Sequence, residues 1–288
     1  MGGGSSKETE STSTTNVSKQ ETSTTKAASN ELEKAWRKFD WGQKEALKSR
    51  LERFTLSNPD VTNIKILVAG QIGAGKSSFI NSVICAFQGE IVCVAIAETL
   101  ESGASHSFTR RLKAHHIRSA DAELPFEICD IIGLEPANIS EREPDDIVKA
   151  IYGHVKEGYK FSEEKTLASG DEHYNETPSL SDQAFCLVYV IDANTFNLCK
   201  DEIIVQKLRK IRQKISENGI PQVIVMTKVD KACPLVENDL RKIYTSKRIK
   251  EIVGHLIIYA CCFLRFYQQF CFLFLSRWSC AVPKWVCQ

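Results

Sequence analysis

The apolar and polar positions of this chain follow two alternating periods, which together predict a doubly wound α/β domain. Nearly continuous apolar runs, rich in β-branched residues, are typical of strands buried on both faces of a parallel sheet. Segments with apolar residues three or four positions apart predict amphipathic helices between them. The predicted strands are 63–69, 126–130, 184–192 and 222–226, and the predicted helices are 78–84, 144–159 and 200–218.

The pattern before the second of these strands predicts an additional helix and an edge strand. Residues 31–56 carry an apolar stripe that ends with Leu51 and Phe54, which predicts a helix packed on the domain. The basic run 109–117 is strand-like, and we expect it to pair antiparallel at one edge of the sheet. Its adjacent residues His115 and His116 would then face opposite sides, which favours a structural role over a metal site.

Further along the chain, residues 161–183 are polar and predict a loop-like insertion. We therefore divide the chain into a tail at 1–30, a helical segment at 31–57, an α/β domain at 61–255 and an atypical tail at 256–288.

The first 30 residues include fourteen Ser or Thr and are expected to be disordered, because they offer almost nothing apolar to bury. Their first six residues, MGGGSS, match the N-myristoylation pattern, in which Gly2 is acylated and gives weak membrane contact. The alternative interpretation is a Gly/Ser linker that matches this short pattern trivially.

The last segment, 256–288, is rich in Cys and Phe and contains three basic residues but no acidic one. It lacks turn and cap signals, so we interpret it as a substitute for the final strand and helix of the domain. The alternative is a transmembrane helix at 256–275, for which Arg265 near the centre would be costly.

Composition limits the possible classes of function. With 37 basic and 36 acidic residues among 288, the net charge does not favour nucleic acid or an anionic membrane as the main partner. The chain has eleven cysteines but opens with no signal peptide, so a reducing cytoplasm is expected rather than a disulfide framework.

The strongest motif is GQIGAGKS at 70–77, which follows the first predicted strand and precedes a predicted helix. It fits the phosphate-binding pattern G-x-x-x-x-G-K-[ST], in which backbone N–H groups and the helix N-terminus cradle phosphate oxygens. Lys76 would neutralise the phosphates and the Ser77 hydroxyl would bind Mg²⁺. The remaining candidate residues of this loop are Gly70, Gly73, Ala74, Gly75 and Ser78.

Two further motifs follow in order, each at the end of a predicted strand. Asp130 and Gly133 form D-x-x-G, whose Asp can hold Mg²⁺ through water and whose Gly can contact the γ-phosphate. Thr109 is a candidate Mg²⁺ ligand from the preceding segment.

The third motif is Thr227-Lys228-Val229-Asp230, which fits [NT]-K-x-D. A carboxylate at Asp230 accepts hydrogen bonds from N1–H and the exocyclic amine of guanine, while the stem of Lys228 covers the base. Adenine has no matching pair of donors. These three ordered motifs predict GTP or GDP as the ligand.

These residues resemble the P-loop GTPases, whose fold is a Ras-like G domain, and more closely the interferon-induced protein 44 family, including its 44-like members. The stretches that carry the resemblance lie between 31 and 252 and are 36–41, 67–83, 130–135 and 227–230. The resemblance implies a cytoplasmic, interferon-inducible guanine-nucleotide-binding protein with a role in innate immunity and the antiviral response. It also implies protein partners in immune signalling, which the sequence does not name.

Two departures from efficient GTPases predict slow hydrolysis. Leu134 follows D-x-x-G, where a water-orienting Gln is common, and Ile72 places a bulky side chain in the phosphate loop. Glu135 is the candidate replacement for positioning water. Two other functions stay open on the sequence alone: a nucleotide-independent scaffold with a vestigial phosphate loop, and an ATP-using enzyme.

Overall fold

A computed structural model describes residues 30–95, 111–120, 122–131, 142–161, 165–196, 202–216 and 219–260. Its strands are β1 (Ile64–Gly70), β2 (Lys113–Ser119), β3 (Ala122–Asp130), β4 (Ala184–Asp192) and β5 (Gln222–Thr227). Its α-helices are α1 (Lys44–Glu52), α2 (Lys76–Gln88), α3 (Arg142–Ile151), α4 (Glu202–Ser216), α5 (Val229–Ala232), α6 (Pro234–Asn238) and α7 (Lys247–Ala260). Short 3-10 helices lie at Trp41–Gln43, Leu180–Asp182 and Leu240–Tyr244.

The strands form a mostly parallel sheet in the order β2-β3-β1-β4-β5. β1 lies at the centre, parallel to β3 on one side and to β4 on the other, and β5 is parallel to β4. β2 pairs antiparallel with β3 at the edge, as its basic strand-like pattern predicted. The predicted α/β fold class is confirmed, because helices and parallel strands alternate along the chain in the expected order.

Two buried clusters, one on each face of the sheet, explain why β1 is apolar from Ile66 onward on both of its faces. On β1, Ile66 and Val68 belong to one cluster and Leu67 and Ala69 to the other, as the two-residue period of a strand requires. Helix α2 covers the first face, where α1 also packs through Leu47 and Leu51. Helices α3 and α4 cover the second face.

The helix predicted from residue 31 begins later than expected. Residues 31–40 contain no helix, and α1 begins at Lys44 after a 3-10 turn that is capped by the Asp40 side chain. The physical reason is a long-range one: residues 30–36 make backbone hydrogen bonds to residues 244–247, which competes with a local helix.

The helix predicted at 144–159 also ends early, at Ile151. Gly153 has a φ of 82°, and the next amide, of His154, donates to the carbonyl of Lys149. This is the hydrogen-bond pattern of a glycine-terminated helix. Val155 keeps the burial that its spacing indicated, but it pairs with Tyr174 instead of continuing the helix.

The described residues of the insertion predicted at 161–183 as a polar loop form no strand, but part of the insertion is anchored in the core. Leu167 is buried, and its amide donates to the carboxylate of Asp146 on α3. The same carboxylate accepts from the Tyr159 hydroxyl and pairs with Lys149. Burial raises the pKa of Asp146, and burial beside that carboxylate raises the pKa of Tyr159. This buried polar group therefore fastens the insertion to α3.

A third cluster lies beyond the carboxyl end of β5 and includes Val229, Val236, Ile243, Tyr244 and Ile249. Helix α7 contributes Ile249 to this cluster and crosses the predicted domain boundary at 255, since it extends to Ala260 and buries Leu256 in the cluster on the second face of the sheet. The rest of the predicted tail, 261–288, and the predicted disordered tail up to residue 29 lie outside the described residues. No helix in the described ranges is long and apolar enough to cross a membrane.

The close approach of Gly153 to the insertion yields a first prediction. A Cβ atom there would lie 2.8 Å from the Cβ of Asp182 and 2.9 Å from its carbonyl carbon. We expect Gly153→Ala to lower the free energy of unfolding by about 2–4 kcal/mol, from the positive φ and the clash together. Chemical denaturation measures this change.

The matched control is Gly170→Ala, because Gly170 has a φ of 88° but nothing within 4 Å of an added Cβ. It should cost only about 1–2 kcal/mol. Equal losses for the two variants would show that the contact with Asp182 does not constrain the turn.

Candidate functional site

The described residues of all three sequence motifs lie at one edge of the sheet. β1, β3, β4 and β5 are mutually parallel, so their carboxyl ends lie side by side. These ends lead into the phosphate loop after Gly70, into Asp130, into Asp192 and into Thr227. In open α/β sheets this edge is where ligands bind.

The phosphate loop, residues 70–77, needs its first and last glycines for different reasons. Gly70 lies so close to β4 that an added Cβ would be 2.1 Å from the carbonyl oxygen of Val190. Gly75 has a φ of 86° and directly precedes α2. Gly73, between them, also has a positive φ, of 70°. The loop therefore has the left-handed turns from which a concave arrangement of backbone N–H groups is built.

Lys76 and Ser77 are both buried at the start of α2. The Lys76 ammonium donates to the carbonyls of Gln71 at 3.0 Å and Gly70 at 3.4 Å, so it is folded back over the loop. The Ser77 hydroxyl is 3.5 Å from a carboxylate oxygen of Asp130, which is also buried. Ser78 follows on the same helix and is partly exposed.

Thr227 and Lys228 join the end of β5 to the phosphate loop. The Thr227 hydroxyl donates to the carbonyl of Ala74 at 2.6 Å. The Lys228 ammonium donates to the carbonyl of Gly73 at 2.8 Å. Lys228 itself adopts a left-handed conformation, with φ 52° and ψ 33°, which turns the chain directly from β5 into α5. Asp230 lies in that helix and is partly exposed.

Asp192 is a site residue that sequence reasoning missed. It is buried at the end of β4, and one of its carboxylate oxygens is 2.8 Å from the Lys228 ammonium. The other oxygen accepts from the amides of Asn194 and Thr195. A usable signal was present, since this is a lone acid that follows an eight-residue apolar run at the same sheet edge as the other motifs. Asp192 therefore fixes Lys228 against the phosphate loop.

The structure thus brings together the predicted residues of the phosphate loop, Asp130, Thr227, Lys228 and Asp230. Three other candidates, Thr109, Gly133 and Glu135, lie outside the described residues. His115 is buried, and burial lowers its pKa, whereas His116 is half-exposed beside Glu123. The two histidines thus face opposite ways, as expected for a strand. The described residues contain no group of three His, Cys, Asp or Glu side chains that could hold a metal.

Ser77 and Asp130 nevertheless have the donor chemistry that Mg²⁺ prefers. Both offer oxygen atoms, both are buried, and the 3.5 Å between them places them within reach of one common ion. Mg²⁺ usually takes only one or two protein ligands and completes its shell with water and phosphate oxygens. The residues present therefore fit a nucleotide-bound Mg²⁺ better than a metal held by protein alone.

Comparison with curated proteins gives consistent relatives. Interferon-induced protein 44 of Mus musculus is 33% identical over 193 residues, which is 66% of this chain and 44% of that protein. The Homo sapiens protein of the same name is 32% identical over 206 residues, which is 69% of this chain and 44% of that protein. This chain is a homologue of interferon-induced protein 44.

The related interferon-induced protein 44-like of Homo sapiens is 29% identical over 181 residues, covering 62% of this chain and 39% of that protein. The chain thus spans less than half the length of the curated relatives it matches. No family model matches the chain.

Solved structures with partial similarity include a complex titled SsGBP and GDP, at 16% identity and a TM-score of 0.30, covering 74% of this chain and 46% of that one. A signal recognition particle receptor SRb-GTP/SRX complex from Chaetomium thermophilum has 11% identity and a TM-score of 0.32, covering 66% and 82%. Methanosarcina barkeri Roco2 RocCORdC bound to GDP has 15% identity and a TM-score of 0.29, covering 73% and 52%.

The pairing of Asp192 with Lys228 yields the second prediction. Asp192→Asn removes a charge from a pair in which the Asp192 carboxylate is buried and the Lys228 side chain is 25% exposed. We expect the free energy of unfolding to fall by about 2–4 kcal/mol, because a half-buried ammonium loses its counter-charge. Urea denaturation measures this loss.

The control is Asp145→Asn, which breaks the ion pair with Lys214 in which both side chains are well exposed. It should change stability by less than about 0.5 kcal/mol. A loss as small as this for Asp192→Asn would mean that the pair with Lys228 does not hold the site together.

Proposed function

We propose that this chain is a guanine-nucleotide-binding protein that takes GTP and GDP with Mg²⁺. The observation that carries the proposal is the pair of hydrogen bonds from Thr227 and Lys228 to the carbonyls of Ala74 and Gly73. They place a guanine-type motif directly against a phosphate loop, which is the juxtaposition that one nucleotide would span. A chance match of either motif would not predict contact between them across 153 residues of sequence.

Each part of the nucleotide has a group suited to it. Lys76 lies over the phosphate loop, where it can exchange a loop carbonyl for phosphate oxygens. The Lys228 side chain is held at its backbone by the turn into α5 and at its ammonium by Gly73 and Asp192. Its aliphatic stem can therefore form one wall for the base. Asp230 supplies a carboxylate acceptor for N1–H and the exocyclic amine of guanine.

For the metal, Ser77 and Asp130 would hold Mg²⁺, and bound Mg²⁺ would neutralise phosphate charge. Gly133 and Thr109 are proposed to contact the γ-phosphate and the metal, and Glu135 to position water. We expect GTP hydrolysis to be slow, because Leu134 stands where efficient GTPases often place Gln.

In the cell, we propose that the protein is induced by interferon and acts in the cytoplasm, in innate immunity and the antiviral response. We also propose that it acts with protein partners of immune signalling. Support comes from relatives whose names state that they are interferon-induced. Acylation of Gly2 and the apolar tail at 256–288 remain proposed sources of weak membrane contact.

The third prediction tests base recognition by replacing the carboxylate of Asp230 with an amide. Fluorescent GDP should bind the protein and be displaced by GTP but not by ATP. Asp230→Asn should weaken GDP binding by about a hundredfold, because the amide keeps one acceptor oxygen for N1–H but turns an NH₂ group toward the exocyclic amine of guanine. It should also improve binding of xanthosine diphosphate, since xanthine carries a carbonyl oxygen where guanine carries its amine, and the new amide can donate to it.

The control is Glu251→Gln, an equally conservative change at an exposed position of α7. It should change the affinity for neither GDP nor xanthosine diphosphate. Equal displacement by GTP and ATP would refute guanine specificity. If Lys76→Ala abolished nucleotide binding but left cellular partners and effects unchanged, the protein would be a nucleotide-independent scaffold and not a protein whose function depends on bound nucleotide.

The fourth prediction concerns Mg²⁺. Ser77→Ala removes one proposed ligand, so its GTP affinity in Mg²⁺ should fall about tenfold or more, toward the value of the unaltered protein in EDTA. Ser82→Ala, one turn later on the same helix, removes a hydroxyl that bonds to the Ser78 carbonyl and should keep the Mg²⁺ dependence. A Ser77→Ala protein that responds to Mg²⁺ as fully as the unaltered one would remove Ser77 from the metal site.

A further inference from the structure

The stretch Trp36–Trp41 is prominent in the sequence but has no place in the nucleotide site itself. It belongs to residues 30–41, a segment without α-helix that we name the N-terminal arm. The arm is held by backbone hydrogen bonds from Leu32 to Thr245 at 2.7 Å and from Trp36 to Tyr244 at 2.9 Å. The amide of Lys247 donates back to the Asn30 carbonyl at 3.0 Å.

Side chains reinforce this attachment. The carboxylate of Glu31 pairs with Lys242 at 3.1 Å and accepts from the Thr245 hydroxyl at 3.2 Å. The arm is thus fixed, through both backbone and side chains, to residues more than 200 positions away in sequence. Such a contact is specific, because the chain must close a very long loop to make it.

Aromatic rings provide the packing. Trp36 meets Tyr244 edge-on, with ring centres 5.2 Å apart, and Phe39 and Trp41 lie within 5.9 and 6.3 Å of the same ring. Phe39 and Trp41 also contact each other edge-on at 4.7 Å. Arrangements of this kind add stabilisation beyond the burial of apolar area. Tyr244 is therefore enclosed by the arm.

The same cluster supports the helix that carries Asp230. Helix α5 has only four residues, Val229–Ala232, and no side chain caps its N-terminus. Helices of this length are not stable by themselves and depend on tertiary packing. Its two buried residues, Val229 and Ala232, both belong to the cluster that contains Tyr244 and against which the arm aromatics pack.

A second connection runs through buried polar groups. The Ser246 hydroxyl is 3.3 Å from the sulfur of Cys233, the residue directly after α5, and accepts from the amide of Ile249 on α7. Ser246 is itself paired in a β-bridge with Glu31 of the arm. The arm, α5 and α7 are thus tied together at one point.

We propose that Trp36, Phe39 and Trp41 are positioning residues for guanine recognition. Acting through Tyr244 and the buried cluster, they hold α5 so that the carboxylate of Asp230 meets the base. The arm thereby determines how well the site distinguishes guanine from other bases. This inference rests on the proposed function and adds to it a control of base specificity from a remote segment.

The test compares GDP with inosine diphosphate, which differs only by lacking the exocyclic amine that Asp230 would accept from. The ratio of the two affinities reports the placement of that carboxylate and is insensitive to a general loss of folded protein. In the full chain, Trp36→Ala should reduce this ratio about fivefold to tenfold and speed GDP release by a similar factor. Trp36→Phe should keep both the affinity ratio and the rate of GDP release near those of the unaltered protein. The indole N–H has no hydrogen-bond partner among the described residues, so only the ring contact must be kept.

The control for stability is Leu51→Ala, which removes a partly buried side chain of α1 that packs on the sheet and not on the arm cluster. Measured at temperatures equally far below each melting temperature, it should leave the GDP to inosine diphosphate ratio unchanged. A second variant, Glu31→Ala, loosens the arm without opening the cluster and should change the ratio in the same direction but less.

The outcomes separate the two proposals. If the unaltered protein distinguishes GDP from inosine diphosphate and Trp36→Ala does so equally well, the positioning role is refuted while the proposed function stands. The same refutation follows if Leu51→Ala lowers the ratio as much as Trp36→Ala. If the unaltered protein does not prefer guanine nucleotides at all, the proposed function fails, and the inference fails with it.

Discussion

The candidate site depends on one ammonium group, that of Lys228, and on the two acceptors that hold it. Its partners are the Asp192 carboxylate and the Gly73 carbonyl, each at 2.8 Å. These three groups come from the ends of β5, β4 and β1, so the ammonium joins three neighbouring strands at their carboxyl ends. Only a parallel arrangement brings those ends to the same edge, which is why the sheet topology and the site cannot be separated.

The central position of β1 has a second consequence, because it places the phosphate loop between two buried acids. Asp130 lies at the end of β3 on one side and Asp192 at the end of β4 on the other. Their tasks differ: Asp130 lies beside the Ser77 hydroxyl, whereas Asp192 neutralises Lys228. The loop must also pass the backbone of β4 closely, and Gly70 permits this because it has no Cβ to meet the Val190 carbonyl. The position of the phosphate loop is therefore fixed in two independent ways, by the charged groups beside it and by its close packing against β4.

Sequence reasoning succeeded where local patterns determine structure. The strand predicted at 184–192 has the observed bounds, because packing on both faces of the sheet makes every residue before Asp192 apolar. The phosphate loop and the order of the motifs were equally accessible. The early end of α3 was missed although Gly153 was a visible signal, because the apolar spacing of Val155 continued the helical period by chance. The role of Asp192 needed knowledge of which strands are neighbours.

The N-terminal arm was missed for a different reason. The apolar stripe of α1 is genuinely helical, and nothing local shows that the pattern begins only at residue 44. Pairing with residues 244–247 keeps residues 31–40 from forming the predicted helix, and no local window of sequence contains both partners. Contacts of such separation are invisible to periodicity, although the density of aromatic residues in the arm indicated that it must be buried against something.

The two halves of the candidate site differ in how they are supported. The phosphate half is built on a central strand and on α2, a helix of thirteen residues with eight of them buried. It therefore has local stability of its own. The base half is built on a four-residue helix that has two buried residues and needs a cluster contributed by the arm and by α7. Since stability is not uniform across a structure, we expect the base half to open more easily than the phosphate half. Under the proposed function, affinity for phosphate and selectivity for the base can vary separately, and the elements proposed to control the second lie at the two ends of the described chain.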